Sequence, residues 1–141
     1  MHLPILALGL IVRPTVAGTV GLLVPLLSFL LTGMPPVPTV VFMCFELGAL
    51  GAVASLLSRL LRSYHWAGPW IATLGAIVAA RIASGLTVMV IGPLMGFHRP
   101  IIEYLGFVIV TGLPGIAIQL TVVPLLITYL KRVGVLGRIG T

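Results

Sequence analysis

A chain of 141 residues that is 60% hydrophobic and carries only eight basic and two acidic side chains has too little polar surface for an ordinary soluble domain. It reads as an all-α integral membrane protein. Its net charge of +6 comes from basic residues placed singly or in pairs at the ends of apolar runs, a pattern of membrane topology and not of nucleic-acid binding.

The chain begins MHLPILALGLIV, with no basic region before the apolar stretch, and Arg13-Pro14 stands where a signal peptidase would need small residues. The segment therefore reads as retained structure. Apolar segments follow one another at 3–12, 15–32, 39–61, 67–95 and 101–130. A membrane-crossing helix needs about 20 residues, so the last four qualify and the first is too short to be a complete span. Helix is expected in each, because backbone groups in hydrocarbon must be satisfied within the segment and no dyad alternation of a barrel strand is present. The expected architecture is one transmembrane domain over 1–141, a polytopic bundle of about five segments.

Positive charge orients the bundle. With Arg13 cytoplasmic, alternate crossing places Arg59, Arg62, Lys131, Arg132 and Arg138 inside as well, and the loop 33–38 outside together with His98 and Arg99. Met1 then lies outside and Thr141 inside. Trp66 and Trp70 fall at the inner interface as belt residues. The lone Cys44 sits in an apolar run and reads as a small packing residue. The fourth segment is rich in small residues (Gly75, Ala76, Ala79, Ala80, Ala83, Gly85), suited to close helix packing. The fifth is interrupted by Leu113-Pro114-Gly115 and by Pro124, where a kink is expected.

There is no phosphate-cradling glycine loop, no His/Cys cluster at metal spacing and no nucleophile with a base beside it. Neither catalysis, a cofactor nor a metal is expected. What remains is charge inside the membrane. Glu46, in FMCFELG, is eight residues past Pro38, roughly 12 Å below the outer loop, and a carboxylate there must face protein, a partner or a wet cavity. Phe42 shares its helical face, whereas Phe45 lies about 100° round. One aromatic beside one carboxylate suits a small solute with a ring and a polar or cationic group. It equally suits a packed helix with one buried ion pair. Arg81, midway along the fourth segment, is the natural counter-charge, and Gln119 is a third polar group at membrane depth. Glu103 and Tyr104 lie near the outer boundary and read as solvated.

Four stretches, MHLPILALGLIV, PLLSFLLTGMPPVPTVVFMCFELGALGAVASLL, AARIASGL and LPGIAIQLTVVPLLITYLKR, together resemble the substrate-binding S components of energy-coupling factor (ECF) vitamin transporters, in the family's order and over most of the chain. The resemblance implies a six-helix fold of which this chain matches helices two to six. An upstream segment of roughly 25 to 40 residues, enough for one helix and a loop, is expected to supply the rest. It implies a pocket at the outer helix ends, lined by His2, Met34, Phe42, Phe45, Glu46, Arg81, Thr111 and Gln119. It also implies partners: a transmembrane T subunit and two ATPases, since no nucleotide-binding residues are present here. The expected function is capture of a vitamin-like organic solute on the outer face of a prokaryotic plasma membrane for ATP-driven uptake. The alternatives are a small structural or assembly protein in which Glu46 and Arg81 merely pair, and a self-associating facilitator that works without ATPases.

Overall fold

The computed structural model describes residues 1–64, 67–96 and 100–133. The expected markers Trp66, His98, Arg99 and Arg138 lie outside them. The described residues form five helices: α1 (His2–Gly9), α2 (Pro14–Thr32), α3 (Thr39–Leu60), α4 (Gly68–Ile91) and α5 (Ile101–Arg132). Among the described residues there is no strand.

Punctuation in the sequence sets the helix ends. Pro14 stands in the first turn of α2, where a missing N–H costs nothing, and Arg13 before it is extended. Gly33 closes the same helix in the left-handed conformation at φ 71°, its N–H returning to the Phe29 carbonyl, a conformation that side chains other than glycine rarely adopt. Ser28 Oγ then donates to the Met34 carbonyl at 2.9 Å and ties down the loop that follows. The fourth helix ends earlier than the apolar run 67–95 suggests. It stops at Ile91, and Pro93–Met95 forms a separate 3-10 turn, because Pro93 cannot continue the α-helical ladder. The reverse holds in α5, which remains helical through Pro114 and Pro124. Neither proline ends the helix, because ending it in hydrocarbon would strand more backbone groups than one proline does.

The contacts fix the helix directions. Gly21 of α2 packs on Leu47 and Gly48 of α3, and Gly51 of α3 on Ala17 of α2, so these two helices are antiparallel. Their backbones touch: a Cβ on Gly21 would stand 2.2 Å from the Leu47 carbonyl oxygen, and one on Gly51 2.5 Å from that of Ala17. These glycines permit the approach by having no side chain. The small residues of α4 also allow close approach: a Cβ on Gly75 would stand 2.5 Å from Leu57 Cδ1. Ala76, Ala80 and Gly85 are buried, while Gly75, Ala79 and Ala83 are half-buried. The short α1 runs parallel to α3, from His2 beside Glu46 to the Val12 carbonyl after its end, which accepts from Ser55 Oγ. Helix α5 returns antiparallel along α4, pairing Tyr104 with Ser84 and Gly112 with Arg81. Its residues Val123 and Ile127 complete a core with Ile5, Leu6, Leu47, Leu50, Ala72 and Ala76.

Outward faces are largely apolar, as with Leu27 and Leu31 on α2, Ile82 and Val90 on α4, and Ile102 and Phe107 on α5. Water would not tolerate so much exposed hydrocarbon, and lipid does. Helices α2 to α5 are each long and apolar enough to cross a membrane; α1, at 8 residues, is not. The antiparallel order brings Arg13, Arg59, Arg62 and Arg132 to one end of the bundle, the basic end, opposite the loop end at 33–38. Trp70, in the first turn of α4, lies toward the basic end and is partly exposed.

Candidate functional site

Helix α3 is buried on more than half its circumference, and its inward face includes Phe42, Glu46, Leu50 and Ala54. Glu46 is thus carried inward by the same periodicity that buries its apolar neighbours and is only 5% exposed. Two bases meet it there. Arg81 of α4 donates from Nη1 to Glu46 Oε1 at 2.6 Å, and the His2 ring nitrogen Nε2 lies 3.2 Å from the same oxygen. One carboxylate oxygen therefore joins α1, α3 and α4. Without such partners an ionised carboxylate at this depth would be expelled or neutralised.

The cluster is unevenly satisfied. Both contacts fall on Oε1, and Glu46 Oε2 receives no hydrogen bond from the described residues. Arg81 spends one N–H, from Nη1, and its side chain is only 17% exposed; the remaining donors of the guanidinium fork have no partner among the described residues. Among the described residues the fully buried side-chain atom without a partner is Thr73 Oγ1, so the unpartnered atoms of Glu46 and Arg81 border accessible space, with room for water, an ion or a ligand.

Toward the loop end the cluster is flanked by a second polar contact. Ser84 Oγ and Tyr104 Oη share a hydrogen bond of 2.9 Å across α4 and α5. The Tyr104 ring meets Phe42 edge to face, with centroids 6.4 Å apart and planes at 73°. Reading Tyr104 as a solvated boundary residue is therefore wrong: it turns inward, while its neighbour Glu103 is exposed. Its place was available in the sequence, since Tyr104 opens the stripe Tyr104, Val108, Gly112, Ile116, Leu120, Val123, Ile127, spaced by threes and fours along the α5 face that packs inward. Gly112 was missed for the same reason. It lies against Arg81, and a Cβ there would stand 3.1 Å from Nη2.

The structure brings together His2, Glu46, Arg81 and Phe42 of the expected set. Phe45 is 46% exposed, turned to the outside as its angular offset on α3 requires. Met34 is exposed in the 33–38 loop. Thr111 is exposed and donates to the Phe107 carbonyl of its own helix at 2.6 Å. Gln119 is buried, yet its amide has no hydrogen-bond partner among the described residues; it lies two turns past Gly112 toward the basic end. Thr73 Oγ1 of α4 is likewise buried without a partner.

Such an arrangement can hold a small polar molecule by charge and hydrogen bonds. Among the described residues no group of three His, Cys, Asp or Glu side chains is placed to hold a metal ion. In comparisons with known proteins, no family model matches the chain, and no curated protein and no solved structure is significantly similar to it.

Proposed function

We propose that this chain is the solute-binding membrane subunit of an ECF-type importer. It captures a small organic, vitamin-like solute at the cluster of His2, Glu46 and Arg81, on the extracytoplasmic side of a prokaryotic plasma membrane, with Met1 outside and the C-terminal end inside. The observation that carries the reading is the unused hydrogen-bonding capacity of a buried charged cluster at membrane depth. In this reading Phe42 and Tyr104 form the wall toward the loop, Gln119 a polar group below the cluster, and Met34, Phe45 and Thr111 approach the solute only if the loop and helix ends move. Energy comes from a transmembrane T subunit and two ATPases, and the sequence resemblance is what suggests those partners.

A second reading is favoured by the 2.6 Å contact itself: Glu46 and Arg81 pair to lock α3 to α4 in a structural or assembly protein. Purified protein in lipid nanodiscs, denatured and analysed by mass spectrometry, separates the two. Release of one organic solute near one mole per mole, lost in an Arg81→Gln variant that still melts cooperatively, is the expected result. Protein that releases nothing and gains no thermal stability from extracts of its host is the scaffold. Solute flux into liposomes holding this chain alone would instead identify a facilitator.

A further inference from the structure

Resting on the solute-binding reading, we propose that the solute carries a carboxylate, which docks on the unspent N–H groups of Arg81.

The argument is one of charge and of donor supply. Glu46 is the only acidic group in the cluster, and two bases already converge on one of its oxygens. A cationic solute would have to approach a carboxylate whose charge Arg81 has already neutralised. The surplus lies on the other side: the guanidinium fork has used one N–H, on Nη1, and no described residue accepts the rest. A planar fork with parallel free N–H groups is matched by a planar anion with two oxygens, above all a carboxylate. A solute carboxylate on Arg81 would also supply acceptors for the guanidinium N–H groups that Glu46 does not use. A ring-plus-cation solute, one of those the sequence allows, is the poorer match, because Glu46 is already paired with Arg81.

Gly112 gives an independent handle. It stands beside Nη2, and adding a methyl there would put carbon 3.1 Å from that nitrogen. The guanidinium would have to yield, at a helix position where alanine is otherwise favourable.

Three probes share one ring and differ in charge: benzoate, benzamide and benzylamine. Thermal melting and calorimetric titration of the 141-residue chain in nanodiscs at neutral pH should show saturable stabilisation by benzoate, less by benzamide and none by benzylamine. Gly112→Ala should fold, and should weaken benzoate by about tenfold, the loss of one charge-assisted hydrogen bond. Arg81→Lys keeps the charge but not the fork and should weaken it at least as much. Stabilisation by benzylamine and not by benzoate overturns the carboxylate assignment while leaving a solute site in place. Benzoate binding that is unchanged in both variants places the anion elsewhere and also overturns it. No response to any of the three overturns the carboxylate assignment, and solute release in the denaturation experiment above then decides separately whether the site binds solutes at all.

Discussion

Arg81 Nη1 and Glu46 Oε1 meet at 2.6 Å across the α3–α4 interface, 35 positions apart in sequence. Removing either partner leaves a charge buried with little to balance it. Arg81→Leu and Glu46→Leu are each expected to destabilise by about 3 to 5 kcal/mol, and the double variant to recover most of that loss. Thermal melting of the four proteins in one detergent checks this; losses that simply add would mean that the two side chains are not coupled.

The amide of Glu46→Gln keeps an oxygen that can accept from both Arg81 and His2, so this variant loses charge but not hydrogen-bond geometry. It should melt above Glu46→Leu. The same ranking measured at several salt concentrations should hold, because a pair this buried is poorly screened. Equal melting temperatures for the amide and the leucine would show that the contacts to Oε1 contribute nothing.

Tyr104 and Ser84 test how α5 is attached to α4. Tyr104→Phe keeps the edge-to-face contact with Phe42 and removes the hydroxyl, at an expected cost of about 0.5 to 1.5 kcal/mol. Ser84→Ala should cost a similar amount, and the pair together less than the sum. A double-mutant cycle by chemical or thermal unfolding reads the coupling directly.

Two glycines bracket the packing. Gly21→Ala drives a methyl into the α3 backbone and is expected to cost about 1 to 3 kcal/mol as overpacking, or more if the helices must part. Gly106→Ala meets nothing within 4 Å and should be neutral or stabilising by up to about 1 kcal/mol through helix propensity. Comparable melting of the two variants would contradict the close α2–α3 contact.

Topology is tested with single cysteines in a Cys44→Ser background. Val37, 54% exposed in the loop, and Ser63, exposed beyond α3, lie at opposite ends of the bundle. Val37→Cys should react with an impermeant thiol reagent from outside intact cells and Ser63→Cys only after the membrane is opened. Labelling of both from one side would refute the orientation.

Much of this was legible in the chain because membrane helices announce themselves locally. Length, apolarity and terminal Pro or Gly located α2 and α3 to within a residue, and the cost of charge in hydrocarbon singled out Glu46 and Arg81 before any contact was known. What local signals did not supply was the azimuth of α5 and the second base on Glu46, His2. Phe45, about 100° round α3 from Glu46, turns outward as that angle requires, although the resemblance counts it in the pocket; Tyr104 turns inward because it belongs to the stripe on α5, which its depth alone does not reveal. The end of α4 was misjudged for a different reason: Gly92 and Pro93 continue the apolar composition while stopping the helix. That His2 shares Oε1 with Arg81 depends on α1 running parallel to α3, and nothing in an 8-residue helix specifies that direction by itself.

The placement of Gly112 bears on why α5 stays where it is. Of the four long helices it is the least buried, and lipid gives apolar side chains little reason to prefer a neighbouring helix over an acyl chain. What α5 provides is insulation: its backbone at Gly112 lies over the second nitrogen of a guanidinium that would otherwise confront hydrocarbon. Peeling α5 away would turn the open side of the Glu46–Arg81 pair toward hydrocarbon, so the most loosely packed helix is retained by the charge that it screens.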